Sequence, residues 1–139
     1  EFYSAYLYLD FANFYKSKGL DGFYNWYMVQ TQEERDHAML FLKYLQNNNA
    51  EITLEAVDKP DMTLEKLMLI NTIYDAAQSV KDFRTMQFLD WFIKEQGEEE
   101  TNAHDLITKM ELFGTDPKGL YMLDNELKAR VYTAPSLVI

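Results

Sequence analysis

The chain has 139 residues, 47% of them hydrophobic and 15% aromatic, with a formal net charge of −10. That length suits a single domain with a sizeable core, and the charge argues against a nucleic-acid backbone as partner while suiting cations. The absence of cysteine excludes disulfides, thiolate metal sites and iron–sulfur clusters; no apolar run approaches the ~18 residues of a membrane span, and with no signal peptide visible the expected location is cytoplasmic.

Most of the sequence reads as helix, with only 5 Gly and 3 Pro to punctuate it. Residues 1–17 form a first helix that is apolar nearly all round, through Phe2, Tyr6, Leu7, Leu9, Phe11 and Phe14, which predicts burial on more than one side. It stops at Ser17-Lys18-Gly19, with Gly19 as its C-terminal cap, and Asp21 is expected to cap the next start. A second helix runs from about Gly22 to Gln46. Its inner stripe is Trp26, Gln30, Glu34, His37, Phe41 and Tyr44, in steps of three and four. Asn47-Asn48-Asn49 ends it.

Residues 50–61 break the pattern. Ile52 to Val57 reads as extended, and Pro60 closes the segment. Twelve extended residues reach ~40 Å, as far as twenty-five helical ones, so this linker is long enough to run the full length of a bundle and make the second and third helices parallel. The third helix covers about Thr63 to Lys81, with Leu64, Leu67, Ile70, Ile73 and Tyr74 on its apolar side. A short Lys81-Asp82 junction leads to a fourth helix, Phe83 to Phe113. Its stripe is Phe88, Phe92, Gln96, Glu99, Ala103, Leu106 and Met110, with Glu95 beside it. Gly114 ends it. Asp116-Pro117 starts a short fifth helix, about Lys118 to Val131. The tail, Tyr132 to Ile139, contains Pro135 and carries no ordering signal. The expected fold is an all-α four-helix bundle with one long crossover (about 1–113) plus a short fifth helix and tail (about 114–139), in one domain.

Two inner stripes turn acidic part-way. A buried carboxylate costs several kcal/mol unless it is paired or metal-bound. Glu34 and His37 interrupt helix two, Gln96 and Glu99 interrupt helix four, and Glu1 lies one heptad before Tyr8 on helix one. Glu-x-x-His lets one helix offer an oxygen and a nitrogen to one ion, and a bridging Glu34 can serve two. Oxygen-rich sites with one imidazole suit iron or manganese and leave positions open for dioxygen. The same spacing also occurs on solvated helix faces; its place on an apolar stripe, facing a second acidic break, favours the metal. The run Glu95, Glu98, Glu99, Glu100 reads as a charged face from which Glu99 turns inward and Glu100 outward. His104 reads as a surface residue and the methionines as core filler. Tyr8 is either a core tyrosine or a partner of a ligand carboxylate, oxidisable near a metal.

These residues resemble prokaryotic non-haem ferritins. The matching stretches are Glu1-Phe2-Tyr3-Ser4-Ala5-Tyr6-Leu7-Tyr8, Gln32-Glu33-Glu34-Arg35-Asp36-His37, Phe88-Leu89-Asp90-Trp91-Phe92, Glu95-Gln96-Gly97-Glu98-Glu99-Glu100 and Gly119-Leu120-Tyr121-Met122-Leu123-Asp124. The resemblance implies homo-oligomeric shells, usually of about 24 subunits, that oxidise Fe(II) with dioxygen at a di-iron centre inside each bundle and store Fe(III) mineral. It implies Glu1, Glu34 and His37 as ligands of the first iron, with Gln96 close to it. Glu34 would bridge to a second iron that Glu99 binds. Glu33, Glu95 and Glu98 resemble an additional iron site toward the cavity, and Tyr8 the tyrosine beside the centre. Haem-bearing relatives carry Met directly after the bridging Glu; Arg35 stands there, so no haem is expected.

Two departures accompany the match. The family has about three further helical turns before the position of Glu1. It also has a glutamate ligand in a His-Glu pair about eight residues before the position of Asn71. Counting back gives Thr63, and Glu65 lies two residues off, about 200° round the helix. The leading expectation is therefore an iron-storage ferritin with ferroxidase activity. The alternative is a ferritin-derived shell or assembly subunit with an impaired centre. A third class is a di-iron peroxidase or oxygenase; the absence of cysteine excludes a rubredoxin-type iron site, and the fifth helix and glutamate run favour storage.

Overall fold

The computed structural model describes residues 1–61 and 69–139, and for Leu69 the backbone alone. All regular structure among the described residues is helical: α1 (Phe2–Ser17), α2 (Asp21–Asn47), α3 (Leu69–Ser79), α4 (Phe83–Phe113) and α5 (Pro117–Leu127). None of these helices is long and apolar enough to cross a membrane. They fall into two compact units, residues 1–61 with 116–139 and residues 69–115. The first six residues expected of helix three, 63–68, among them Thr63, Leu64, Glu65 and Leu67, lie outside the described residues.

In the first unit α1 and α2 form an antiparallel hairpin. Tyr15 stacks on Phe23 at 4.9 Å and on Tyr27 at 5.4 Å, while Tyr8, two turns earlier, meets Tyr27 at 6.0 Å. The turn between them follows from one residue. Gly19 takes a left-handed φ of 73°, which a residue without Cβ adopts freely. Its N–H then reaches the Lys16 carbonyl and that of Leu20 the Tyr15 carbonyl, both at 3.1 Å, which closes the helix end. Asn49 does the same for α2 with a φ of 54°, and the Ala50 N–H donates to the Leu45 carbonyl at 3.0 Å.

Several expectations for this unit are corrected. Asp21 does not cap α2. It is the helix's first residue and binds Lys16 at 2.7 Å, while the preceding Leu20 offers no side-chain cap. The cap comes from α5: the Asp124 carboxylate accepts from the Gly22 N–H at 2.7 Å and the Phe23 N–H at 3.2 Å. A Cβ on Gly22 would lie 1.6 Å from the Asp124 carbonyl oxygen, so the close approach of α5 needs glycine there. The expected burial of α1 on more than one side is not reached by four of the residues it was read from. Ala5, Leu7 and Ala12 are buried, but Phe2, Tyr6, Leu9 and Phe14 are exposed. The exposed four form an apolar surface of the kind that a partner covers.

The crossover, residues 50–61, is irregular as expected. It has not run the full length of α2 by Asp61. From His37 to Asn47, α2 continues about 15 Å beyond the level of Glu1. At the end of the described crossover Asp61 is back beside Tyr3, whose hydroxyl donates to the Asp61 carboxylate and accepts from its N–H. The segment has therefore returned only to the first turn of α1.

α5 ends at Leu127, four residues before the expected Val131, where Asn25 of α2 reaches the carbonyls at and just beyond its end. The Asn25 amide donates to the Leu127 carbonyl at 3.2 Å and the Arg130 carbonyl at 2.9 Å. The two helices thus cap each other. The start of α5 is as read: Asp116 accepts from the Gly119 N–H at 2.7 Å and Pro117 fills the first turn.

In the second unit α3 and α4 are joined through Lys81, at φ 58°, and Asp82. Asp82 caps α4 by accepting from the Thr85 N–H at 3.1 Å and its hydroxyl at 2.6 Å. α4 keeps the expected bounds, and Phe88, Leu89, Phe92 and Ala77 are buried.

Candidate metal centre

The site begins with helical spacing. Gln30, Glu34 and His37 lie on one face of α2, three and four residues apart. They are only 3%, 2% and 5% exposed, which places a carboxylate and an imidazole inside an otherwise apolar stripe with Val29 and Ala38. The hairpin turn at Gly19 brings the head of α1 to the same level. There Glu1, whose carbonyl accepts from the Ala5 N–H at 2.9 Å as the helix opens, directs its carboxylate inward. Ligand-capable atoms of Glu1, Glu34 and His37 all lie within 4.8 Å of one another, and His37 Nδ1 is 3.7 Å from Glu1 Oε2.

Burial pushes the Glu1 carboxyl up, but hydrogen bonds to His37 and Glu34 outweigh it, so the carboxyl sits below its ordinary value. Two carboxylates and an imidazole drawn this close are mutually satisfied by a cation that all three can reach. Two oxygens and one nitrogen form the donor set that suits a borderline divalent metal such as iron or manganese.

An aromatic wall joins α1 to α2 further along the hairpin. Tyr8 and Phe11 of α1 meet Tyr27 of α2 at 6.0 and 5.3 Å. Burial and the neighbouring Tyr15 push the Tyr27 phenol up to about 12, so it stays protonated at neutral pH. Tyr8 is half-buried and belongs to this wall.

Glu33, one residue before Glu34 and 100° round the helix, turns away from the cluster. Its carboxylate receives Arg130 Nη2 at 2.7 Å. Asp36 likewise accepts from Tyr132 and, at 2.9 Å, from Arg35. Burial raises the Asp36 carboxyl, but these hydrogen bonds prevail and hold it below its usual value. The hydrogen bond to Asp36 is what raises the Tyr132 phenol. Tyr132, which opens the tail for which the sequence carries no ordering signal, is thus bound to α2, as is Arg130 just before it. Sequence reading missed Arg130, Tyr132, Asn25 and the capping role of Asp124. The one available signal was Asp124, which closes a stretch already matched to the family.

The remaining candidates lie on α4, in the second unit. Glu95, Gln96 and Glu99 are half-buried; Glu98 and Glu100 are exposed, which agrees with Glu99 turning in and Glu100 out. Gln96 donates to Glu100 at 3.2 Å, and Glu98 lies 3.5 Å from Lys94. His104 is exposed, as expected.

Comparison with known proteins gives a consistent result. The family model described as ferritin-like domain matches residues 1–113. A bacterial non-heme ferritin of Campylobacter jejuni is 29% identical over 143 residues, covering 92% of this chain and 86% of its own. One from Staphylococcus aureus is 26% identical over 147 residues, covering 95% and 89%. Among solved structures, an Archaeoglobus fulgidus ferritin engineered into a closed form superposes with a TM-score of 0.90 at 37% identity, covering 95% of this chain and 90% of its own. An open-pore ferritin of the same archaeon gives 0.86 at 37%, covering 94% and 90%. The fold class is the all-α ferritin bundle with a short fifth helix, and the chain belongs to the ferritin family.

Proposed function

We propose that this chain is an iron-storage ferritin subunit with ferroxidase activity, a single ferritin-like domain. The observation that carries the reading is the cluster of half-buried Glu1 with buried Glu34 and His37. Its relatives' names, non-heme ferritin, and its ferritin structural neighbours support it. Fe(II) is the substrate and dioxygen the electron acceptor, each iron giving up one electron.

In this reading Glu1, Glu34 and His37 would hold the first ion; the family resemblance alone adds Gln96 near it and Glu99, with Glu34, as ligands of a second. Glu33, Glu95 and Glu98 serve an additional iron site. The chain's own contribution is to pre-position these oxygens and the imidazole nitrogen, neutralise the cations and favour the more highly charged product. Arg35, where haem-bearing relatives carry methionine, supports a haem-free protein. The exposed Phe2, Tyr6, Leu9 and Phe14 support a homo-oligomeric shell, proposed at about 24 copies.

The test is stopped-flow oxidation of about two Fe(II) per subunit in air, with Glu34→Ala and protein-free buffer alongside. Oxidation by the parent must outrun both. A second reading, a shell subunit with an impaired centre, rests on Thr63 standing where the resemblance implies a glutamate ligand. It requires the parent to match buffer while the shell still forms.

A further inference from the structure

We propose that Arg130 is a built-in counter-cation for Glu33: it occupies an oxygen site on α2 that a divalent cation enters only by displacing it. The inference rests on the proposed function, in which Glu33 is a metal-binding carboxylate, and adds that in the metal-free protein this carboxylate is already taken.

The guanidinium is held on several sides. Nη2 donates to Glu33 Oε2 at 2.7 Å and to the Gln30 amide oxygen, and Nη1 lies 3.5 Å from the Trp26 carbonyl oxygen. The group also sits 4.5 Å above the centre of the Trp26 ring. The Asn25 amide fixes the Arg130 carbonyl at 2.9 Å, and Tyr132 binds Asp36, so the backbone on either side is tethered to α2. The Arg130 and Glu33 side chains are 22% and 20% exposed. A carboxylate and an amide oxygen one turn apart, with a main-chain carbonyl nearby, are oxygen ligands that divalent cations take, a carboxylate serving Zn²⁺ as well. The guanidinium stands in for such a cation with one charge instead of two, and the indole face adds a contact that only the organic cation gains.

Three consequences separate this from a purely structural ion pair. Cation binding at Glu33 is weakened by the competition, by about tenfold for a partly exposed, ring-stacked pair. Binding there moves the guanidinium off Trp26. It also loosens residues 130–132, because the side-chain anchor between Asn25 and Asp36 is lost.

The experiment uses Zn²⁺, which undergoes no redox change, on the assembled protein carrying Trp91→Phe, so that Trp26 is the remaining tryptophan of two. Calorimetric titration of Arg130→Gln is expected to show the Glu33 site tightened about tenfold over the parent, and Arg130→Gln with Glu33→Gln is expected to lose it. Trp26 emission is expected to respond to Zn²⁺ in the parent but in neither Glu33→Gln nor Arg130→Gln. Arg130→Lys keeps the charge without the fork and should bind with intermediate strength; it carries the test if the glutamine variant does not assemble. An Arg130→Gln or Arg130→Lys isotherm identical to the parent's overturns the proposal, as does a Trp26 response that survives Glu33→Gln. Glu34→Ala keeps the two readings apart: if iron oxidation is the same with and without Glu34 while Arg130→Gln still tightens Zn²⁺ binding, the proposed function fails and this inference stands.

Discussion

Replacing Glu34 by Gln should reverse the order of stability according to whether metal is present. Carboxylate oxygens of Glu1 and Glu34 lie within 4.8 Å. At an effective dielectric of 20, two full charges at that distance repel by about 3.5 kcal/mol. His37, 3.7 Å from Glu1, and the hydrogen bond between the two carboxyl groups already relieve part of this. Glutamine keeps the shape, carries no charge at any pH and offers an N–H donor to Glu1, so the metal-free variant should gain about 1–2 kcal/mol. For a chain of this size that is a rise of about 3–6 °C in melting temperature. A metal at a hundred times its Kd stabilises the parent by about 2.7 kcal/mol, roughly 8 °C, whereas the variant lacks the bridging ligand and should barely respond. Differential scanning calorimetry at one protomer concentration, with and without Zn²⁺, reads both numbers. If metal-free Glu34→Gln melts below the parent and keeps the metal-dependent rise, the carboxylates are not held together as a cation site.

Three further outcomes follow from the first unit. Gly22→Ala would drive a methyl group into the Asp124 backbone, so urea unfolding should show a loss of about 3 kcal/mol as α5 is forced off α2. Asp124→Ala removes both hydrogen bonds to the α2 start and should cost about 1–2 kcal/mol by the same assay, with Asp124→Asn recovering part of it. Asp36 has a carboxyl lowered from 3.8 in the folded chain, so its contribution to stability is present above that pH and disappears as pH falls through the folded value. Limited proteolysis at residues 130–139 should therefore accelerate below about pH 3.8, and Asp36→Asn should show fast cleavage with no such step.

Local pattern reached what local physics decides. The ends of α1 and α2 were legible because Gly19 and Asn49 are the residues that tolerate the left-handed turn closing a helix. α4 was legible from its stripe and from Asp82 at its cap. Glu34 and His37 stood out because a carboxylate on an apolar face demands a partner. What escaped depends on residues about a hundred positions apart. Asp21 looks like a cap in its own neighbourhood, yet Asp124 reaches the same N–H groups from α5. Arg130 and Tyr132 sit in a segment with no periodicity, and only the folded chain shows their partners. The apolar circumference of α1 predicted burial because a helix pattern cannot say which apolar residues face their own chain and which face another.

The stretch Gln30 to His37 is where these contributions meet. At 100° per residue, Gln30, Glu34 and His37 share one stripe, while Glu33 and Asp36 share a second one roughly a quarter-turn away. The first is buried and joined by Glu1; the second is taken by Arg130 and Tyr132. Gln30 belongs to both, since its amide oxygen accepts from Arg130 while its side chain lies in the buried stripe. Acids adjacent in sequence therefore have opposite fates in the metal-free protein. Glu34 has a neighbouring carboxylate and gains from an incoming cation, whereas Glu33 already has a cation and resists one. An ion arriving at this helix should fill the Glu34 stripe first. Stepwise Zn²⁺ titration checks the order: the Glu34-dependent heat should saturate before Trp26 emission begins to change, and simultaneous changes would mean that the two stripes do not differ in the way their partners dictate.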